Sequence, residues 1–319
     1  MANAIKLRGS CKYSLLIPTS MGTRLTAKDY QPSHCSRTFE LQATSAESNV
    51  GSVSAFLGLP VCILTAIVSN SPFGTFIKRD LMSRGITVDA KEVKQDGPWG
   101  VRHQINIADT GVGSRGPSVG NDRAGEVGRT LRPEDFDLET RFGKDGVEIV
   151  HSSGLVAALS PDTGRLCREI ARTAKKHGSL VSFDLNHRAS FWKGREKELA
   201  VLFKEIASCA DILVGNEEDF QLCLGIQGPP PGGKDLSAKI ESFKEMIDRT
   251  RKEYPNAKLY ATTLREVESA NLHHWGAIMW YDNEWYVVQP RPIGVIDRIG
   301  GGDAFVGGML YGVLRGWEP

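Results

Sequence analysis

No run of apolar residues in the chain approaches the ~20 needed to span a bilayer, so a membrane-spanning helix is not expected. The N-terminus carries Lys6 and Arg8, but no apolar stretch follows to complete a signal peptide. An excess of one charge is missing too, with 39 basic residues against 38 acidic ones and a net +1. A chain so balanced has no electrostatic reason to bind nucleic acid or an anionic membrane. Cysteine is sparse and scattered. The six (Cys11, Cys35, Cys62, Cys167, Cys209, Cys223) include no C-x-x-C pair, which argues against a disulfide framework and against a zinc site. Reduced thiols in the cytoplasm are the expectation. No internal repeat or low-complexity tract is found. What is present is ordinary for a soluble globular protein, 40% hydrophobic and 24% charged residues. A length of 319 residues leaves room for one large α/β domain, alone or with a small accessory unit.

From about residue 146 strand and helix patterns alternate. Val147 to Val150 reads as a strand, and Ser160-Pro161 opens a helix whose Leu166, Ile170 and Ala174 fall on one face. Leu180 to Leu185, Ile212 to Val214 and Leu259 to Thr263 read as further strands. Helices over Gly194 to Cys209 and Asp235 to Lys252 separate them. Alternation of this kind predicts a mostly parallel sheet with helices on both faces, which binds ligands beyond the carboxyl ends of its strands. Trp275 to Tyr281 and Glu284 to Val288 flank Asp282-Asn283 as a β-hairpin. Trp99 to Asp109 and Ser114 to Arg123 have no helix between them. They are expected to be antiparallel strands outside the main sheet, joined by the segment from Tyr13 to Leu41, and to cover the ligand edge as a lid.

Asp297-Arg298-Ile299-Gly300-Gly301-Gly302-Asp303 stands just before the apolar run Ala304 to Leu314. Three glycines at a helix entry let the backbone approach a ligand and turn free N–H groups toward it, and the helix terminus favours an anion. Asp303, in the first turn, could accept a proton from a hydroxyl held against that anion. This is the arrangement phosphoryl transfer requires. An Asp that merely caps the helix is the alternative.

Two further clusters follow strands. Asn216-Glu217-Glu218-Asp219 could organise a hydrated Mg²⁺, or could be an acidic helix start favoured by the macrodipole. Asp184, Asn186 and Arg188, with Trp192 beyond, could share one pocket. There the planar fork of Arg188 would suit a carboxylate or phosphate, or it could pair with an Asp on the surface. A dinucleotide-binding dehydrogenase is not expected, because its glycine turn follows the first strand of a βαβ unit rather than lying near the end of the chain.

These motifs, in order and spacing, resemble the ribokinase-like (pfkB) carbohydrate kinases, and among them the subgroup that acts on 2-keto-3-deoxygluconate. The resemblance runs from Ala46 onward. It rests on Ala46-Glu47-Ser48-Asn49-Val50, Asp184-x-Asn186-x-Arg188-x-x-x-Trp192, Asn216-Glu217-Glu218-Asp219 and Asp297-x-x-Gly300-Gly301-Gly302-Asp303. It implies a single ribokinase-like domain over 1–319 with lid strands from about 13–41 and 99–123, and ATP-dependent phosphorylation of a sugar acid, 2-keto-3-deoxygluconate to its 6-phosphate. Asp303 would be the base and Gly300, Gly301 and Gly302 the anion hole. Asn49, Asp184, Asn186 and Arg188 would hold the sugar acid, Arg188 through its carboxylate. Asn216, Thr263, Arg265 and Asp297 would serve the nucleotide. Asn216, Glu218 and Asp219 would act on Mg²⁺ through water. The implied cofactors are ATP and Mg²⁺, with room for a monovalent cation, and the implied assembly is a homodimer through the lid. A kinase for another sugar such as a ketohexose, or a non-catalytic sugar-binding protein, are the alternatives.

The chain departs from the family pattern at several positions. Thr44-Ser45 stands for Gly-Gly, Pro18-Thr19-Ser20-Met21 for a glycine and an acid, Asp219 for Glu, Gly301 for Ala, and Arg265 for a glycine after Thr-Leu. The family continues with further helices beyond the position of Pro319, so the expectation is either a fragment that lacks the C-terminal part of the family fold or an incomplete nucleotide pocket.

Overall fold

The computed structural model describes residues 4–232 and 235–319, and every count below refers to these. In chain order, β1 (Tyr13–Pro18) is followed by β2 (Gly22–Ala27), β3 (Phe39–Thr44), α1 (Ala46–Phe56), β4 (Val61–Val68), α2 (Pro72–Ser83) and β5 (Ile86–Val93). Next come β6 (Gln104–Asp109), β7 (Ser118–Asp122), β8 (Val147–Ser153), α3 (Gly154–Ala158), α4 (Pro161–Lys176), β9 (Leu180–Asp184), α5 (Ala189–Trp192), α6 (Glu196–Cys209) and β10 (Ile212–Val214). The chain ends with α7 (Glu217–Asp219), α8 (Ile240–Glu253), β11 (Leu259–Val267), β12 (Leu272–Tyr281), β13 (Glu284–Gly294) and α9 (Gly301–Arg315).

Nine strands form one sheet in the order β13-β12-β11-β10-β9-β8-β1-β4-β5. The seven from β11 to β5 run parallel, and the hairpin β12–β13 continues the sheet antiparallel to β11. Parallel strands buried on both faces should be apolar at every position rather than at alternate ones. β4 (VCILTAIV) is buried at all eight positions. On β1, Leu15 and Ile17 enter the core under α1, α2 and α9, while Leu16 enters the core under α4. A third cluster lies between the sheet and α6 and α8, around Phe183, Phe203, Leu213 and Phe243.

β1 corrects one expectation. Tyr13–Pro18 is not part of a lid but lies inside the main sheet, between β4 and β8. Its run Leu15-Leu16-Ile17 has no polar alternation because both of its faces are covered. The second sheet holds four strands in the order β3-β2-β6-β7. β2 pairs antiparallel with β3 and parallel with β6, and β6 pairs antiparallel with β7. Its strands come from 22–44 and 104–122, so the lid segments around 99–123 were legible and only the start of the N-terminal contribution shifts.

No helix among the described residues is long and apolar enough to cross a membrane.

Candidate active site

α9 begins where the chain can turn. Gly300 caps it at φ 86°, a left-handed backbone that glycine adopts without cost. The first-turn N–H groups of Gly302 and Asp303 then have no partner within the helix, and both residues line the cleft. The helix packs against α1 through Gly307, where a Cβ would lie 2.7 Å from Val53 Cγ2 and 2.8 Å from the Val50 carbonyl oxygen. That close approach sets Asn49 of α1 opposite Asp303 of α9, and Asn49 Nδ2 donates to Asp303 Oδ2 at 2.7 Å. Asn49 was expected to bond a sugar; here it fixes one oxygen of the carboxyl and leaves the other open.

The Asp303 carboxyl has its pKa raised to about 6. Burial is the main cause and the charge of Glu47 adds to it, while the Asn49 hydrogen bond and Arg188 oppose it. Glu47 is fully buried. It accepts from Thr19 Oγ1 at 2.6 Å and from Ser153 Oγ, so the ends of β1 and β8 hold the start of α1. Thr19-Ser20 thus has local work in this chain, since Ser20 Oγ also donates to Glu126 at 2.5 Å.

The strand ends β9 and β10 supply the opposite wall. Asp184 lies half-buried there, and its pKa is raised well above the carboxylate range by burial and by the nearby charges of Asp219 and Asp303. Asn186 turns the chain away at φ 34°. Arg188 is exposed to the cleft, and its Nη1 donates to the carbonyl oxygen of His187 at 2.8 Å. Asp219 lines the cleft and also holds backbone. Its Oδ1 accepts the His187 N–H at 2.8 Å and its Oδ2 the Asn216 N–H at 2.9 Å, so it ties two loops together. Asn216 Oδ1 in turn accepts the Asp219 N–H at 2.8 Å as a capping box. Glu218 remains exposed at this strand end.

One cleft of about 890 Å³ gathers Asn49, Asp184, Asn186, Arg188, Asn216, Glu218, Asp219, Thr263, Arg265, Gly300, Gly301, Gly302 and Asp303. Asp297 is the exception. It lines a smaller hollow of about 320 Å³ behind the glycine loop. There Oδ1 accepts the Ile299 N–H at 2.9 Å and Oδ2 pairs with Arg24 of β2. These contacts shape the glycine loop and tie it to β2 of the second sheet.

The sequence reading assigned no role to several residues that line the cleft. The lid turns the alternate positions Gln104 and Asn106 of β6, and Asn121 of β7, into it. The amide oxygens of Gln104 and Asn106 are buried without a hydrogen-bond partner. The strand period of two would have placed Gln104 and Asn106 on one face, but not which face. Arg298 and Trp275 also line the cleft, and Arg298 was visible inside the glycine motif. Trp275 also crowds residue 301. A Cβ there would lie 3.0 Å from Cζ2 of the indole.

Comparison with known proteins agrees with this geometry. A profile of pfkB family carbohydrate kinases matches residues 21–319. The chain is 26% identical over 290 residues to a 5-dehydro-2-deoxygluconokinase of Clostridium tetani, covering 90% of this chain and 77% of that one. It is 25% identical over 298 residues to a 2-dehydro-3-deoxygalactonokinase of Haloferax volcanii, covering 93% and 82%. The crystal structure of a 2-dehydro-3-deoxygluconokinase from Thermotoga maritima superposes with a TM-score of 0.86 at 26% identity, over 96% of this chain and 89% of that one.

Proposed function

The chain belongs to the pfkB family of carbohydrate kinases, and we propose that it transfers the γ-phosphoryl of ATP to a hydroxyl of a keto-deoxy sugar acid, with 2-keto-3-deoxygluconate and its 6-phosphate as the leading pair. One observation carries this reading. A carboxyl with raised proton affinity, Asp303, and a cleft-lining guanidinium with no ion-pair partner among the described residues, Arg188, lie in the same cleft. The three relatives are named for keto-deoxy sugar acids. Such substrates share a carboxylate, for which Arg188 offers a charge-assisted, planar contact. The orphaned amide oxygens of Gln104 and Asn106 would accept from sugar hydroxyls, recovering the cost of burying them unpaired.

In this reading Asn49 holds one oxygen of Asp303 while the other takes the proton of the attacking hydroxyl. At neutral pH the carboxyl is ionised yet binds a proton more tightly than an ordinary carboxylate, as a general base should. The free N–H groups of Gly302 and Asp303 and the N-terminus of α9 stabilise charge on the transferring group. Among the described residues no three ligating side chains cluster tightly enough to build a direct metal site. The residues therefore fit a hydrated Mg²⁺ that enters with the nucleotide, with exposed Glu218 and Asn216 to hold its water shell. When bound, Mg²⁺ would neutralise phosphate charge. The same reading puts the enzyme in the cytoplasm, with its six cysteines free. It also pairs two copies through the outer lid face, where Leu25, Leu41 and Ile107 lie opposite one another.

The test is a coupled assay of ADP release with 2-keto-3-deoxygluconate, 2-keto-3-deoxygalactonate, 5-keto-2-deoxygluconate, fructose and ribose. Turnover confined to the acids supports the reading. Equal turnover of fructose favours a neutral-sugar kinase, and no turnover of any favours a binding protein.

A further inference from the structure

The chain passes between the two sheets at one end only. It leaves β1 for β2, β3 for α1 and β4, β5 for β6, and β7 for β8. In the main sheet β8, β1, β4 and β5 are neighbours. β11 lies three strands beyond β8, about 14 Å at the usual strand spacing. Strands β6 and β7 line one side of the cleft and β11 another. The turn between β6 and β7 nevertheless reaches the turn between β11 and β12, and the two are hydrogen-bonded. The proposed function leaves this contact without work.

Gly113 is gripped through its backbone. Its N–H donates to Asn271 Oδ1 at 2.7 Å, and its carbonyl oxygen accepts the Ala270 N–H at 2.9 Å. The turn that presents it is braced from within. Asp109, buried at the end of β6, accepts from the Gly111 N–H at 3.1 Å, from Arg115 Nη1 at 2.6 Å, from Ser118 Oγ at 2.7 Å and from the Ser33 N–H at 3.3 Å. Asn271 also bonds in another direction. Its Nδ2 donates to the Val295 carbonyl oxygen at 3.3 Å, and its own carbonyl oxygen accepts the Val295 N–H at 2.8 Å. Its side chain thus meets an N–H of one segment and a C=O of another. A carboxamide offers the acceptor and the donor this needs, whereas a carboxylate only accepts.

We propose that Asn271 is a positioning residue that clasps the tip of the second sheet to the segment leading into the glycine loop, so that docking of the tip and placement of residues 300–303 are one event. Val295 stands two residues before Asp297, and Asp297 is itself paired with Arg24 of β2. The segment is therefore tied to the second sheet at two points, through Asn271 at Val295 and through Arg24 at Asp297. A shift of the second sheet away from β11 would pull on both.

The strength of the clasp suits a contact that must open and close. A hydrogen bond between neutral groups shifts such an equilibrium by about 2–10-fold. The two bonds to Gly113 therefore favour the docked tip without locking it, and substrate can enter. For its use the clasp rests on the kinase reading. A sugar held against Gln104 and Asn106 of β6 steadies the second sheet, and Asn271 carries that preference to the loop on which Asp303 sits. Binding of the acceptor and ordering of the reacting groups are then coupled.

The experiment compares the wild type with Asn271→Ala and Asn271→Asp. Hydrogen–deuterium exchange is measured without substrate, and ADP release is measured with 2-keto-3-deoxygluconate. Asn271→Ala loses both side-chain ties. Exchange over residues 110–114 and 295–302 should quicken by about 2–10-fold per lost bond. β8 and α4 should keep wild-type protection, which shows that the fold is intact. Asn271→Asp can still accept from Gly113 but turns an oxygen toward the Val295 carbonyl, so only 295–302 should loosen. In the assay Asn271→Ala should raise the KM for the sugar acid and lower kcat. Asn271→Asp should lower kcat and keep that KM near the wild-type value, a split that general loss of stability does not produce. Unchanged exchange over 295–302 in both variants would overturn the clasp, as would an Asn271→Asp variant that raises KM and spares kcat. A wild type that turns over no sugar would overturn the kinase reading, and the exchange result would then decide the clasp alone.

Discussion

Replacing Asp303 by Asn should make the protein more stable at neutral pH while nearly stopping turnover. The Asp303 carboxyl is raised from 3.8 to about 6 in the folded state. Between those values the folded chain holds a proton that the unfolded chain has lost. Stability contributed by this group is therefore present in acid and disappears as pH rises through about 6. At about 1.4 kcal/mol per pH unit the full cost of ionising the site is ~3 kcal/mol. Partial access of water reduces it to about 1–2 kcal/mol. Asparagine avoids this cost and keeps the Asn49 bond, because its amide oxygen can accept from Nδ2 as the carboxylate does. The variant and wild type should melt alike near pH 4 and diverge by pH 8, with the variant higher. Asp184, whose own pKa is raised partly by Asp303, adds to the gain once that charge is gone. Urea denaturation at the two pH values measures the difference. Turnover should fall by about 10²–10⁴-fold, the usual worth of a general base, and in the wild type kcat/KM should decline below about pH 6. Equal stability of the two proteins at pH 8 would refute the raised pKa, and near-normal turnover would remove Asp303 from the chemistry.

Three further outcomes are expected. Arg188→Ala should weaken a sugar acid by about 1.5–3 kcal/mol and leave the KM for ATP nearly unchanged; an equal loss toward neutral sugars would mean Arg188 does not read a carboxylate. Gly307→Ala should cost about 1–3 kcal/mol by overpacking α1 against α9, seen as a lower denaturation midpoint, with turnover falling as Asn49 and Asp303 separate. Ile107→Asp, on the outer lid face, should convert a dimer to monomers in sedimentation while keeping the circular dichroism of the folded protein, with a melting temperature that no longer depends on concentration; a wild type already monomeric at micromolar concentration would refute lid pairing.

The sequence alone determined the features that local chemistry dictates. The Ser160-Pro161 helix start, the strand Ile212–Val214 and the glycine entry to α9 were legible because caps, apolar runs and consecutive glycines act within a few residues. The order of motifs was legible for the same reason, and the parallel sheet then required them to meet at one edge. Tertiary structure decided what depends on partners distant in the chain. Leu15, Leu16 and Ile17 form a central strand because helices cover both faces, which no periodicity within six residues reveals. Asp219 spends its oxygens on the backbone of a loop 32 residues away, and Asp297 turns from the cleft to meet Arg24, 273 residues distant. Glu47 raises the proton affinity of Asp303 only because the close contact at Gly307 draws α1 against α9. Cross-strand register likewise set Arg265 beside Trp275, since pairing between strands fixes which side chains meet, and the residues within one strand do not.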